Sequence, residues 1–118
     1  MTANLCEAIR AAQDRKAVNL TVLDVGKICS FADYFVICSG TSTRHTRAIS
    51  DAIQEQLKKK WDLQPAHLEG YTQSEWILMD YFNFVVHIFS ERAREFYNLE
   101  RLWKAAPRVP VPDGSRSG

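Results

Sequence analysis

Apolar positions change period several times along the 118-residue chain, and each change marks an element. Leu5, Ala8, Ile9 and Ala12 recur at helical spacing, which predicts a short amphipathic helix over residues 3–14 that ends near Asp14-Arg15-Lys16. Residues 18–25 are rich in β-branched side chains and predict a strand, followed by a turn at Gly26 and Lys27 and a second strand over Tyr34–Ser39. Ser42 is placed to cap a long helix in which Ala48, Ile49, Ala52, Ile53 and Leu57 share one face, while Arg47, Asp51, Glu55 and Lys58 point outward. Lys58-Lys59-Lys60 suits the negative end of that helix.

Pro65 stops any further helix, and His67-Leu68-Glu69-Gly70-Tyr71 predicts a short edge strand. Glu75–Tyr81 and Phe84–Ser90 then predict two strands joined at Phe82-Asn83, close enough to form a hairpin. Phe84, Val86 and Ile88 oppose Val85 and Phe89, so the second of these is apolar on both faces and belongs at the centre of a sheet. From Glu91 a final helix is expected to bury Phe96, Leu99, Leu102 and Trp103. Beyond Pro107 no core-forming pattern remains, which predicts a flexible tail over residues 107–118 after a single domain of residues 1–106. The order αββαβββα describes an α/β fold, a mixed five-stranded sheet with two or three helices packed on it.

With 46% hydrophobic residues, a chain of this length forms one domain that buries roughly two-thirds of its unfolded surface. The net charge of +1 argues against wrapping of naked nucleic acid, but its distribution is uneven. Residues 1–61 carry nine basic and six acidic groups, 62–100 two and seven, and 101–118 four and one. The acidic middle segment is either ordinary solvated surface or a face for a basic protein. Cys6, Cys29 and Cys38 have neither metal-ligand nor redox spacing and read as reduced thiols, with Cys38 in the core. No signal segment or membrane-length apolar run is present, so a cytoplasmic protein with no membrane contact is expected.

Two features bear on function. Arg44, His45 and Arg47 lie at the positive end of the long helix, where basic groups are disfavoured. Either these side chains are simply solvated, or Thr41, Ser42, Thr43, Arg44 and Arg47 form an anion site for a nucleotide or RNA phosphate. The second feature is the strand Trp76-Ile77-Leu78-Met79-Asp80-Tyr81, which carries large apolar groups on both faces in a chain with few helices to cover them. It is either a buried hairpin or a docking surface, since Trp, Tyr and Met are favoured at interface centres. His45, His67 and His87 are scattered over separate elements and make a poor zinc set, and His87, between Val86 and Ile88, reads as a core histidine.

Three motifs occur in order over about residues 5–103: Ala32-Asp33-Tyr34-Phe35-Val36-Ile37-Cys38-Ser39-Gly40-Thr41-Ser42-Thr43-Arg44, Glu75-Trp76-Ile77-Leu78-Met79-Asp80-Tyr81, and Arg94-Glu95-Phe96-Tyr97-Asn98-Leu99-Glu100-Arg101-Leu102-Trp103. With them the chain resembles the Iojap-related ribosomal silencing factors (RsfS type). The resemblance implies a small nucleotidyltransferase-like fold. It also implies a partner, the large ribosomal subunit, bound through its protein L-fourteen so that the small subunit cannot join and translation is repressed when nutrients are short. Under it no bond is made or broken, so no cofactor, metal or catalytic residue is expected. By the same analogy Trp76, Leu78, Met79, Asp80 and Tyr81 would form the contact, with Glu69 and Tyr71 beside them and a secondary ribosomal RNA contact at the helix start.

Rival readings are a degenerate nucleotidyltransferase, or a nucleotide- or RNA-binding module using the 41–47 helix start. The carboxylate pair that would hold Mg²⁺ against a triphosphate is missing after Gly40-Thr41-Ser42, which weighs against the enzyme. A homodimer closing the same strand would compete with docking.

Overall fold

In the computed structural model, which describes residues 2–111, the sheet is built outward from β5 (Phe84–Ser90), buried from Phe84 to Phe89. β5 pairs in parallel with β2 (Tyr34–Gly40) on one side and antiparallel with β4 (Trp76–Asp80) on the other. Outside these lie β1 (Val18–Asp24), antiparallel to β2, and the short β3 (His67–Glu69), antiparallel to β4. Among the described residues the sheet has six strands rather than the five expected, in the order β3-β4-β5-β2-β1 with a short sixth strand beyond β1. The sixth, β6 (Arg108–Val109), pairs with β1 at Val22 and Leu23, inside the segment expected to be a tail. Two residues are too few to carry a period, and they are held because the outer edge of β1 offers unpaired backbone groups, as in the bond from Asp24 N–H to the Pro107 carbonyl at 2.9 Å. The tail residues 112–118 lie outside the described residues.

One face of the sheet is covered by α1 (Ala3–Asp14) and α2 (Thr43–Trp61), with Thr2 and Ser42 as the capping side chains. Leu5, Ile9, Ile49, Ile53 and Leu57 from these helices meet Val36, Cys38, Ile77, Met79, Val86 and Ile88 from the strands. The period-3.6 and period-2 patterns thus converge on one core, as the sequence predicts. Cys38 is fully buried there, and desolvation pushes its thiol up to about 12, against a smaller opposing effect of Arg94.

Among the described residues the opposite face receives α3 (Glu91–Tyr97) and α4 (Leu99–Leu102) together with the 25–33 segment and the 103–106 turn. Here the expected single helix burying Phe96, Leu99, Leu102 and Trp103 is corrected. Asn98 adopts a left-handed conformation (φ 47°), breaks the helix and turns the chain, a role to which Asn is suited. Leu99 is buried and Trp103 partly so, but Phe96 and Leu102 are left 78% and 76% exposed.

His87, on the central strand, is 4% exposed, in keeping with a core histidine. Its Nδ1 accepts a hydrogen bond from the Trp76 indole N–H at 3.1 Å, which puts the ring proton on Nε2, and Nε2 has no partner among the described residues. Burial lowers its pKa from 6.5 to about 4. Between those values the unfolded chain binds a proton that the folded one refuses, so stability is full above pH 6.5 and falls as the pH drops. The expected loss is roughly 3 kcal/mol across that window, levelling off below it. Urea titrations from pH 7 to pH 4 should show this slope in the wild type and a shallower one in His87→Phe; equal slopes would show that His87 does not titrate in this way.

Candidate functional site

The under-covered face of the sheet displays a continuous belt of rings. Phe31 lies 6.1 Å from Phe35, whose edge meets His87 at 4.8 Å and Trp103 at 4.9 Å. His87 leads to Trp76, which packs against Phe89 at 4.9 Å and Tyr97 at 4.8 Å, and Tyr97 meets Phe96 edge-on at 5.0 Å. Phe35, His87 and Phe89 are buried and Trp76 and Trp103 partly so, while Phe31, Tyr97 and Phe96 at the two ends are exposed, with Leu102 beside a groove of about 590 Å³ that runs along Phe96 and Tyr97. Large exposed apolar side chains at both ends of a partly buried belt make this face a candidate docking surface.

Register decides which of the expected docking residues belong to this surface. Trp76, Leu78 and Asp80 alternate along β4 with the buried Ile77 and Met79, and their cross-strand partners Phe89, His87 and Val85 face the same way. Glu69 pairs with Leu78 across β3 and therefore shares that face. Met79 and Tyr81, by contrast, are 0% and 2% exposed in the core under α1 and α2. Neither is reachable by a partner, so the expectation that both make contact is corrected: the odd positions of β4 are consumed by the covered face. Tyr71 also packs against the core under α1 and α2, and its hydroxyl donates to Asp51 of α2 at 2.7 Å. That bond raises the Tyr71 pKa and identifies the residue as a strut for the loop ahead of β4.

The same loop aims Trp76. Gly70 takes φ +77°, and a Cβ there would stand 1.9 Å from the Trp76 carbonyl oxygen, so only glycine permits the approach. Ser74 N–H donates to the Gly70 carbonyl, and the Thr46 hydroxyl of α2 donates to the Ser74 carbonyl, each at 2.8 Å. Asp80, at the other end of β4, accepts the Phe82 N–H at 2.8 Å and so shapes the turn into β5, where Phe82 has φ 73°. Asp80 is thus a turn-former as well as an exposed-face carboxylate.

Sequence reasoning missed Phe96, Tyr97 and Leu102 as surface residues, because their helical spacing is also that of a core stripe. It also passed over Arg94, the clamp that holds them. Its guanidinium makes a two-pronged pair with Glu100 at 3.1 and 3.0 Å and donates to Ser39 Oγ at 3.1 Å and the Val18 carbonyl at 3.3 Å. Arg94 in turn lowers the Glu100 pKa, chiefly through that hydrogen bond. The pair joins α3, α4, β1 and β2 across the break at Asn98.

At the start of α2 the basic cluster folds onto the chain itself. His45 Nδ1 accepts the Thr41 N–H at 2.9 Å, its Nε2 lies 2.7 Å from the Arg15 carbonyl, and its own N–H donates to Ser42 Oγ at 3.0 Å. Two donors that an anion would have used are therefore occupied by local partners. Thr41, Ser42, Thr43 and Arg44 are exposed and Arg47 is half-buried, its helix facing the sheet from the side opposite the aromatic belt. The turn before the helix is tight: a Cβ at Gly40 would meet the backbone nitrogen of Thr46 at 2.8 Å. Among the described residues no three His, Cys, Asp or Glu side chains are grouped to hold a metal ion, and no helix is long and apolar enough to cross a membrane.

Comparison with known proteins agrees with the sequence resemblance. The family described as "Ribosomal silencing factor during starvation" matches residues 2–117. The ribosomal silencing factor RsfS of Bacillus subtilis is 38% identical over 107 residues, covering 91% of this chain and 90% of its own, and that of Halalkalibacterium halodurans is 37% identical over 104 residues, covering 88% of each. A crystal structure of a Chromobacterium violaceum protein superposes with a TM-score of 0.82 at 27% identity, covering 99% of this chain and 98% of that one. A match that spans nearly all described elements, at this identity and with the three motifs in order, places the chain in the ribosomal silencing factor (RsfS) family.

Proposed function

We propose that this protein represses translation by docking on the large ribosomal subunit, through ribosomal protein L-fourteen, and sterically preventing the small subunit from joining, notably when nutrients are limiting. The observation that supports this reading best is the aromatic belt on the open sheet face, at the centre of which stand Trp76, Leu78 and Asp80. Steric blocking needs an accessible, rigid, apolar anchor, and Trp and Tyr on a β-strand supply area at low entropic cost. Around the anchor lie Glu69, Asp80 and Glu95, in a segment with seven acidic and two basic groups over residues 62–100, which suits a basic ribosomal protein. Under this reading the protein makes and breaks no bond, uses no cofactor and works in the cytoplasm.

The test is sedimentation of the purified protein with large subunits alone and with both subunits. Phe96→Ala removes an exposed ring at little risk to folding and should weaken large-subunit binding. Trp76→Ala should weaken it by roughly thirty- to a thousandfold, from the 2–4 kcal/mol typical of a central aromatic. For the acidic group the informative change is Asp80→Asn, which keeps the acceptor for Phe82 N–H and removes only the charge. If folded variants at all three positions still bind and still prevent subunit joining, another face carries the function. Self-association that Phe96→Ala abolishes would identify a homodimer competing for the same surface.

The 41–47 helix start is assigned a lesser part, a salt-sensitive contact to ribosomal RNA through Arg44 and Arg47. Exposed charge contacts are worth about 0–1 kcal/mol each, so replacing both by Ala should cost no more than about tenfold in affinity. Complete loss of binding with an unchanged circular-dichroism spectrum would make phosphate recognition the principal contact instead.

A further inference from the structure

We infer that His87 is the positioning residue for the docking face: its Nδ1 holds the indole N–H of Trp76 inward, so that a partner meets the apolar six-membered ring of Trp76 rather than its polar edge. The inference rests on the docking reading above and adds to it a second residue, which the partner never touches.

The geometry is specific. Trp76 and His87 are diagonal neighbours on one face of the β4–β5 pair, Trp76 lying opposite Phe89 and Leu78 opposite His87. The Trp76 Nε1 to His87 Nδ1 distance is 3.1 Å, and it is the one hydrogen bond of the His87 ring among the described residues. The imidazole has little freedom to turn, since Phe35 meets it edge-on at 4.8 Å and Phe89 lies nearly parallel at 6.3 Å. An aromatic hydrocarbon side chain would fill this slot without stranding the Nε2 proton in the core. What it would not do is accept the indole proton. With that acceptor gone the Trp76 N–H must seek water or go unpaired, and the partly buried ring, packed on Phe89 and Tyr97, loses the hydrogen bond that fixes its orientation. An imidazole here is unfavourable for the core and useful for the surface.

That difference separates positioning from packing. His87→Phe should fold with a urea midpoint at neutral pH no lower than the wild type yet bind large subunits at least about tenfold more weakly, whereas His87→Asn, whose amide oxygen offers an acceptor near the place of Nδ1, should recover part of the loss. In a Trp76→Phe background the His87→Phe change should cost less than about twofold, because the group it orients is gone. If folded Trp76→Ala binds like the wild type, the docking face itself is wrongly placed. If Trp76→Ala weakens binding but His87→Phe does not, the face stands and the positioning role falls. The wild type supplies a check that needs no variant to fold: nitrogen NMR should show His87 with Nδ1 unprotonated and the Trp76 indole proton protected from exchange. A protonated Nδ1, or an indole proton exchanging as fast as in a free peptide, would overturn the inference.

Discussion

Two adjacent strands, β2 and β5, are apolar on both faces, and that single constraint organises the molecule. A parallel pair of this kind is stable only if both faces are removed from water, at roughly 25 cal/mol for each Å² of apolar area buried. The chain meets the demand unequally. One face is covered by helices of 12 and 19 residues, the other by helices of 7 and 4 residues and a loop. The aromatic belt is what remains of the second face when the described cover is too short to reach across, and Trp76 and Leu78 of β4, on the flank away from β1, are left only partly buried in it.

Short helices bury little, so a polar device holds them. From α3 and α4 only Ala93 and Leu99 are buried, yet Arg94 binds both Glu100 and the first two strands. A charge-assisted pair that is largely desolvated is weak evidence of net stability, but removal of either partner leaves the other uncompensated, which makes the geometry exacting. The clamp fixes the orientation of α3, and with it the exposed rings of Phe96 and Tyr97. The two sides of one sheet are thus held by different chemistry: dispersion and burial under α1 and α2, and hydrogen-bonded orientation on the side left open.

The fold was legible wherever a period ran long enough. The cap at Ser42, the reach of α1 and α2 and the central place of the 84–90 strand are all read correctly, the helices and the strand from patterns of seven or more residues, whereas the Thr2 cap is not singled out. What escaped was decided by tertiary contacts. Nothing in the alternation of residues 76–81 says which face α2 will cover, and so Met79 and Tyr81 were grouped with Trp76, Leu78 and Asp80, though they point to opposite sides. The stripe of Phe96, Leu99, Leu102 and Trp103 has helical spacing, but one left-handed Asn98 turns half of it outward. β6 is selected by the free edge of β1 and not by its own two residues. The family motif and the aromatic belt single out the same strand, whereas the hydrogen bond that holds its tryptophan joins two residues read separately, one as a surface aromatic and one as a core histidine.

The helix start at Ser42 illustrates how one geometry can be turned to a different use. A glycine turn followed by hydroxyl side chains at a helix N-terminus is a ready anion site, because the first N–H groups lack partners within the helix. In this chain His45 reaches back to Thr41 and across to Arg15, tying α2 to the end of α1, while Thr46 reaches forward to Ser74 and fixes the loop that presents Trp76. The donors and acceptors of that turn are spent on joining three elements of the domain. A terminus used in this way holds the covered face rigid against the loop before β4, and a rigid anchor loses less entropy when a partner closes over it. The helix start therefore sets the position of Trp76 from the opposite side of the sheet.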